Sequence, residues 1–467
     1  MPEITTVLDH LDKQLDTSLE RLFTLLRLPS VSADPAYHQG CLDTADWLAR
    51  DLQSMGFSAS VRETPGKPMV VGHQPGPRPD SFHVLFYGHY DVQPVDPLEL
   101  WDNDPFAPAV NVMDGGCKVI TGRGSSDDKG QLMTFLEACR AWHDVGGGLP
   151  IRVSVFLEGE EESGSPSMHS FLEANRQELQ ADLALVCDTC MWNAQTPAIS
   201  TSLRGLVAET VVVYGPDRDL HSGHYGGVSV NPLRVLSGIL AQLHDANGRV
   251  TLDGFYEGVQ EVPAEIRQSW EALEREAAEQ FRDVGLTRSV GETGRTLLEQ
   301  IWSRPTAEIN GMSGGYSGEG FKTVIPAVAT AKVSFRLVGG QDPHQVREAF
   351  RAHVRAALPT DCRVEFHGHG GAPAVEMDWD SPFVEMTRRA LSEEWPEPTV
   401  LVGMGGSIPV VGDFKRMLGM DSLLVGFGLD DDRIHSPNEK YALTSFHHGQ
   451  RSWARILDLL AREASRR

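Results

Sequence analysis

The chain has 467 residues, of which 65 are acidic and 41 are basic, so its formal net charge is −24. This length predicts two or three domains. The negative charge argues against a nucleic acid or an anionic membrane as a partner, because both are bound through Lys and Arg, and it favours colloidal solubility instead.

The N-terminal part of the chain alternates between helical and strand-like patterns. Leucines recur at helical spacing from Leu8 to Leu26, which predicts an amphipathic helix and not a signal peptide. Apolar runs predict strands, and a helix face lies at 132–139. Such alternation indicates an α/β sheet with helices on both sides. The predicted strands are 83–87, 117–120, 151–157 and 183–186.

The pattern changes near residue 206, where a strand, two long helical patterns and further strands indicate an inserted α+β domain. A helical pattern at 382–391 and a strand at 422–427 indicate a return to the first sheet. We therefore predict a catalytic domain of residues 1–205 and 377–467, with a mixed, mostly parallel sheet flanked by helices, and an insert at 206–376. The elements predicted for the insert are strands at 206–214, 324–338 and 362–366 and helices at 232–244 and 266–281.

Neither a membrane span nor a disulfide framework is expected. No run approaches ~18 consecutive apolar residues. The six cysteines are scattered apart from one C-x-x-C pair, Cys187 and Cys190, and a structural zinc site would need a second pair. We interpret them as reduced thiols, and the predicted location is the cytoplasm.

A histidine or an acidic residue follows each strand predicted for the first domain. His89 follows the first strand, and Asp127, the acidic run 160–162, Asp188 and His435 follow later ones. Ligands of open α/β sheets bind beyond the carboxyl ends of the strands, so we expect these side chains at one edge. Imidazole and carboxylate suit zinc, cobalt or manganese, and two ions can share one carboxylate.

Taken one at a time, these residues have simpler explanations. Asp127 and Asp128 precede a predicted helix, where acidic side chains cap the N-terminus. The run 160–162 alone is typical of a solvated surface, and His435 of a loop. The combination of five such strand ends favours the metal site.

Five segments of the sequence resemble the di-zinc metallopeptidases that include carnosinase-type dipeptidases, aminoacylase, acetylornithine deacetylase and succinyl-diaminopimelate desuccinylase. The resemblance covers nearly the whole chain and is strongest to the dipeptidase branch. It implies hydrolysis of an amide bond in dipeptides or related small peptides, and a homodimer in which the insert is a lid and dimerisation domain. The segments are 87–94, 122–130, 158–165, 219–223 and 435–440.

The resemblance also implies a role for each residue of the centre. Each subunit would bind two divalent metal ions, with Zn²⁺ favoured over Mn²⁺ or Co²⁺, and a hydroxide that bridges them would attack the amide. Glu161 would act as the general base. Asp91 would accept a hydrogen bond from an imidazole ligand and fix its tautomer. The predicted metal ligands are His89 and Asp188 for one ion, Glu162 and His435 for the other, and Asp127 as the bridge.

Four residues outside this centre complete the predicted site. The resemblance implies that His221 reaches the active site of the partner subunit and stabilises the tetrahedral oxyanion. Arg336, with the loop that contains Gly406 and Ser407, would hold the substrate's terminal carboxylate, because guanidinium pairs with carboxylate through two hydrogen bonds. Ala372 stands where the carnosinase-like branch has a histidine, so the preferred dipeptide stays open.

Two alternatives remain open. An N-acyl amino acid deacylase or desuccinylase would cleave the same type of amide with the same two metals. A catalytically silent metal-binding scaffold would keep the fold but lose the base or a ligand. A serine hydrolase is excluded, because a loop and not a helix follows the G-x-S-x-G run at 311–315. A dinucleotide site is excluded because Asp127 stands where the third glycine of its fingerprint belongs.

Overall fold

The computed structural model describes residues 2–113, 115–406 and 408–464. The chain forms two compact units. Unit 1 comprises Met1–Thr201, Met377–Val402 and Asp413–Arg467, and unit 2 comprises Ser202–Glu376 and Gly403–Gly412. Each unit buries a hydrophobic core of its own.

Several helices begin where the sequence supplies a cap. Asn231, Asp342 and Ser381 each accept a hydrogen bond from a backbone N–H of the helix that follows, and proline is the first residue of each of those helices. The helices of the described residues are α1 (Ile4–Leu26), α2 (His38–Ser54), α3 (Lys129–Gly146), α4 (Met168–Ala174), α5 (Arg176–Leu179), α6 (Ser222–Tyr225), α7 (Pro232–Leu240), α8 (Ala264–Glu271), α9 (Glu274–Asp283), α10 (Leu297–Trp302), α11 (Pro343–Ala356), α12 (Pro382–Ser392), α13 (Pro409–Asp413) and α14 (Leu443–Ala464).

The strands follow the apolar runs of the sequence, with additional short strands between them. They are β1 (Ser58–Arg62), β2 (Met69–Gln74), β3 (His83–His89), β4 (Ala109–Val112), β5 (Lys118–Thr121), β6 (Arg152–Glu158), β7 (Leu183–Val186), β8 (Ala198–Leu203), β9 (Gly205–Tyr214), β10 (Leu220–His221), β11 (Thr306–Gly314), β12 (Val324–Ile325), β13 (Val328–Leu337), β14 (Arg363–Ala372), β15 (Val375–Glu376), β16 (Val400–Met404), β17 (Ser422–Leu424) and β18 (Lys440–Ala442).

The central sheet of unit 1 contains the strand order β1-β2-β6-β3-β7-β17-β8. Its middle is parallel, since β3 pairs in parallel with β6 and β7, and β7 pairs in parallel with β17. The flanking pairs β2–β6 and β17–β8 are antiparallel. Every residue of β3 is buried, as expected for the middle of a parallel sheet. The predicted fold class, a mixed α/β sheet flanked by helices, is confirmed.

An aromatic cluster fixes the strand that ends at the site. Phe86 of β3 stacks on Phe135 of α3, with ring centroids 3.8 Å apart, and Trp453 of α14 lies edge-on to both rings. Helices α1, α3 and α14 also contact one another. Offset-stacked and edge-on aromatic contacts add stability beyond the apolar area that they bury. The end of β3 is therefore held in a densely packed part of the core.

The strand predicted at 117–120 is present as β5, but it does not belong to the central sheet. It pairs antiparallel with β4 and β18 in a separate three-stranded sheet. A four-residue apolar run does not show which distant strand it pairs with, because register is set by the partner. The expectation that all the site residues follow strands of one sheet is therefore wrong for Asp127.

Unit 2 contains an antiparallel sheet in the order β11-β13-β9-β14. Residues of β9 and of β13 alternate between buried and less buried positions, and α7 and α11 contact these strands. The helix predicted at 266–281 is divided into α8 and α9. The strand predicted at 324–338 is divided into β12 and β13 around Pro326, which has no N–H to donate to a ladder.

All six cysteines are free. Within the described ranges, none of the helices combines the length and the apolar character needed to cross a bilayer.

Glu394 connects the end of α12 to α14. Its carboxylate accepts hydrogen bonds from His448 Nδ1 at 2.8 Å, Arg451 Nε at 2.5 Å and Arg455 Nε at 2.9 Å. Burial alone would raise the pKa of Glu394, but these three partners outweigh burial and hold the pKa at about 2. The folded state therefore favours the ionised carboxylate.

We expect Glu394→Gln to lower the free energy of unfolding at neutral pH by on the order of 2–3 kcal/mol, because the arginines lose a buried counter-charge. The folded-state pKa lies below the ordinary value of 4.5, so this contribution is complete above about pH 5 and is lost as the pH falls toward 2.

Denaturant unfolding curves should therefore differ between wild type and variant at neutral pH and converge as the pH falls to about 2. Glu393→Gln is the matched control, because the Glu393 side chain is 44% exposed and its removal should change stability by less than ~1 kcal/mol. A difference for Glu394→Gln that does not shrink at low pH would contradict the assignment.

Candidate metal centre

His89 is the last residue of β3, and its side chain is fully buried. Its Nδ1 lies 3.1 Å from the backbone oxygen of Asp91 and 3.5 Å from Oδ1 of the same residue. Its Nε2 lies 3.1 Å from Asp127 Oδ1 and 3.9 Å from Asp188 Oδ2. When Nδ1 donates to a fixed acceptor, the lone pair is on Nε2, which is the arrangement that suits a metal ligand.

Asp127 lies between two histidines. Its Oδ1 is 3.1 Å from His89 Nε2, and its Oδ2 is 3.0 Å from His435 Nε2. The carboxylate thus presents one oxygen to each side, as a bridging ligand does. The predicted ligands form two groups, His89 with Asp127 and Asp188, and Asp127 with Glu162 and His435. In each group the ligand atoms lie within 4.8 Å of one another.

Glu162 lies in the 3₁₀ turn Glu161–Ser163, which follows β6. Its Oε2 is 3.2 Å from His435 Nε2 and accepts a hydrogen bond of 2.6 Å from Gln93 Nε2. Its Oε1 is buried and has no hydrogen-bond partner in the part of the chain that the structure describes. A buried carboxylate oxygen without a donor is unfavourable unless a cation compensates it. This atom and the set of imidazole and carboxylate donors fit a divalent cation.

The pKa values of the centre show how strongly these charges interact. Burial raises the pKa of Asp188 well above its ordinary value, and the charge of Asp127 raises it further. Hydrogen bonds to Asp127 and Glu162 raise the pKa of His435 to about 10. Burial alone would lower the pKa of His89, but its hydrogen bond to Asp127 contributes to a net rise. Protons and divalent cations compete for such a cluster.

The carboxylate of Asp91 holds the turn that carries the predicted base. Its Oδ1 accepts the backbone N–H of Glu161 at 3.2 Å, and its Oδ2 accepts that of Glu162 at 3.0 Å. The sequence predicts a hydrogen bond from the His89 imidazole to this carboxylate, but the shorter contact of the imidazole is with the Asp91 backbone oxygen. The Asp91 side chain therefore orients the residues after β6 more directly than it orients His89.

Glu161 belongs to neither ligand group and is half-buried beside them. Burial raises the pKa of its carboxyl, and the charges of nearby acids, Glu162 and Asp91 among them, add to the increase. A carboxylate with a raised pKa is better matched to proton transfer near neutral pH. The raised pKa of Glu161 is compatible with the predicted role of general base, which stays a prediction.

Sequence reasoning missed three residues that contact the ligands or their backbone. Gln93 donates to Glu162, as described above. Asp128 accepts the backbone N–H of His89 at 3.1 Å and makes no cap to α3, and burial raises its pKa to about 7. Glu439 accepts the backbone N–H of Asp127 at 3.0 Å. All three lie in the segments that carry the family resemblance, which was the available signal.

His221 lies in unit 2, directly before α6, and its side chain is exposed. Its Nδ1 accepts the backbone N–H of Gly223 at 3.0 Å, and its ring stacks on that of His224 with centroids 4.6 Å apart. An imidazole that accepts at Nδ1 carries its proton on Nε2 when neutral. His221 can therefore donate a hydrogen bond from an exposed position.

Arg336 and Gly406 also lie in unit 2, whereas Ser407 lies outside the described residues. Arg336 and Arg204, which was not predicted, line one cavity of about 640 Å³. Arg204 donates from Nε to the Gly405 oxygen at 3.2 Å and from its backbone N–H to the Gly406 oxygen at 3.1 Å. Burial and the charge of Arg336 lower the pKa of Arg204 to about 10. Two neighbouring guanidinium groups favour an anion in this cavity.

Comparison with known proteins gives matches along nearly the whole chain. The profile of peptidase family M20/M25/M40 matches residues 85–459. The Cys-Gly metallodipeptidase dug1 of Schizosaccharomyces pombe is 30% identical over 455 residues, which cover 94% of this chain and 94% of that protein. The Beta-Ala-His dipeptidase of Homo sapiens is 26% identical over 466 residues, which cover 96% of this chain and 91% of that protein.

A solved structure shows the same relationship. The metallo-carboxypeptidase Sso-CP2 from Sulfolobus solfataricus matches with a TM-score of 0.81 and 28% sequence identity. The match covers 95% of this chain and 99% of that chain, so it includes residues of both units.

Proposed function

Because the chain belongs to peptidase family M20/M25/M40, we propose that it is a di-metal dipeptidase whose ligands are His89, Asp127, Glu162, Asp188 and His435. The observation that carries this proposal is the shared Asp127, whose two oxygens lie 3.1 and 3.0 Å from the two histidines. Family membership itself confirms the predicted family and the predicted hydrolase class.

The named relatives support a dipeptide as the substrate. Two of them match over more than nine-tenths of both chains and are named for the dipeptides Cys-Gly and Beta-Ala-His. A dipeptide differs from an N-acyl amino acid in its free amino group, whereas the carboxylate next to the scissile amide is common to both. Substrate discrimination therefore depends on the amino end.

The protein's own groups handle the proton and hold the reacting parts in place. Two divalent ions in the centre would polarise the substrate carbonyl and lower the pKa of a water molecule. Glu161 takes the proton from the attacking water and gives it to the leaving amine. Asp91 holds the backbone of Glu161 and so fixes the place from which the carboxylate transfers this proton.

We propose Zn²⁺ for both positions, with Mn²⁺ and Co²⁺ as alternatives. Each ligand group offers one imidazole and two carboxylates when Asp127 is counted in both. This set suits all three ions, and Zn²⁺ commonly takes three protein ligands in catalytic sites.

The substrate carboxylate is assigned to the arginine cavity of unit 2. Arg336 and Arg204 offer two guanidinium groups there, and Arg204 is fixed by the oxygens of Gly405 and Gly406. Guanidinium binds carboxylate through two parallel hydrogen bonds, which fixes orientation as well as charge. Ser407 is proposed to complete this subsite.

The chain is proposed to form a homodimer through unit 2, with His221 acting in the partner's active site. Unit 2 exposes large apolar side chains, with Phe321 91% and Val228 86% exposed. Exposed apolar groups of this size are typical of interaction surfaces when they cluster. The exposed His221 can then donate from Nε2 to the oxyanion of the tetrahedral intermediate.

The proposed location is the cytoplasm. The six free cysteines support a reducing compartment.

Removing metal with a chelator should abolish hydrolysis, and Zn²⁺, Mn²⁺ or Co²⁺ should restore it to different extents. The restored enzyme should cleave dipeptides with a kcat/KM at least ~10-fold higher than that for N-acetyl or N-succinyl amino acids with the same carboxyl-terminal residue. Undiminished activity after chelation would contradict the metal centre. A preference for the N-acyl substrates would identify a deacylase instead.

Glu161→Ala should lower kcat by about 10²–10⁴-fold, because it removes the proposed proton acceptor, and should leave the metal content unchanged. Glu162→Ala is the matched comparison and should lose metal, since it removes a ligand. Metal analysis and steady-state rates check both variants. Metal loss in Glu161→Ala, with metal retained in Glu162→Ala, would show that the two roles are reversed.

His221→Ala and Glu161→Ala should each be nearly inactive alone, but a mixture that exchanges subunits should recover about a quarter of the wild-type activity. In a mixed dimer, the subunit with intact Glu161 receives His221 from its partner. A mixture that stays inactive although subunits exchange, or full activity of a wild-type monomer, would contradict the action of His221 across the interface.

A further inference from the structure

We propose that Glu439 is a positioning residue for the second ligand group, which consists of Asp127, Glu162 and His435. This inference rests on the metal centre proposed above. Glu439 lies directly before β18 and is fully buried. It does not contact the substrate in the proposed mechanism. It acts by fixing the backbone segments that carry two of the three ligands, Asp127 and His435.

The Glu439 carboxylate accepts hydrogen bonds from several residues of the turn that precedes α3. Its Oε2 accepts the backbone N–H of Gly124 at 2.9 Å, and its Oε1 accepts those of Ser126 at 2.9 Å and Asp127 at 3.0 Å. Arg123 Nη1 donates to Oε2 at 2.8 Å. One carboxylate therefore fixes the backbone of the bridging ligand and of the residues that lead to it.

The same residue anchors the loop that carries His435. Glu439 follows His435 by four residues, and its backbone oxygen accepts the N–H of Gly122 at 3.2 Å. On the other side of the loop, Asp432 Oδ2 accepts the hydroxyl of Ser126 at 2.8 Å. These two hydrogen bonds connect both ends of the His435 loop to the turn that carries Asp127. The distance between Asp127 and His435 therefore depends on them.

Glutamine cannot replace this carboxylate. A Gln at 439 would keep one oxygen, and its NH₂ would face N–H donors that now have an acceptor. The guanidinium of Arg123, which is buried and lies over the ring of Trp101, would also lose its counter-charge. The turn must therefore rearrange, and Asp127 and His435 must move relative to each other.

The first ligand group depends less on Glu439. His89 ends β3 and Asp188 follows β7, and within the described chain Glu439 makes no hydrogen bond to either residue. Asp127 and Asp128 link this group to the end of the turn, and Glu439 contacts only the backbone of Asp127 among the hydrogen bonds described for these two residues. A loss of Glu439 should therefore weaken the second metal position more than the first, whereas general destabilisation would not separate the two.

The test is a titration of metal-free protein with Zn²⁺ against a competing chelator, which yields two dissociation constants. The constant that is lost in Glu162→Ala is assigned to the second position. Glu439→Gln should raise this constant by at least about tenfold and leave the other within about threefold. Glu209→Gln is the matched control, because Glu209 is a buried carboxylate held by Arg347 and Arg351 in unit 2. It should lower thermal stability and leave both constants within about threefold.

Each outcome has one interpretation. A wild-type protein that binds no Zn²⁺ would overturn the proposed centre itself. A wild-type protein that binds two ions, with unchanged or equally weakened constants in Glu439→Gln, would overturn only the positioning role. Should Glu439→Gln fail to fold, Arg123→Gln takes its place, since it keeps the three backbone donors. It should raise the second constant by about threefold or more relative to the first, and equal changes would overturn the inference.

Discussion

The structure depends on how the charge of several buried carboxylates is balanced at the ends of β3, β6 and β7. A buried carboxylate needs hydrogen-bond donors or a cation. Asp91 and Glu439 are satisfied by backbone N–H groups, so they act as fixed parts of the fold. Asp127 and Asp188 instead lie near His89, with few donors of their own. The first kind of acid shapes the site, and the second kind supplies candidate ligands for a cation.

Local sequence patterns predicted the parts of the fold that depend on local packing. The fully buried β3 and helix α3 were identified from their apolar patterns, and the candidate ligands at the ends of β3, β6 and β7 were located because strand ends place them together. The sheet to which β5 belongs was not predictable, since its partner β18 is more than 300 residues away in sequence. Pairing of that kind depends on the whole chain and not on a four-residue pattern.

The candidate site likewise contains residues that local motifs identify and residues that only long-range contacts explain. The segments 122–130 and 435–440 identified Asp127 and His435, but they did not reveal why those residues lie together. That reason is Glu439, whose donors are 312 to 316 positions away in the sequence. The sequence analysis missed Arg204 for a similar reason. The sheet of unit 2 brings Arg204 close to Arg336, and no local sequence pattern shows this. Residues that bind ligands leave local motifs, whereas residues that hold them depend on long-range contacts.

The two histidines of the centre differ in their access to solvent. The side chain of His89 is fully buried, whereas that of His435 is 54% exposed. In the proposed centre, the ligand atom of His89 would therefore be shielded from water by the core. The ligand atom of His435 would instead border water, so the two metal positions would differ in how readily solvent reaches them.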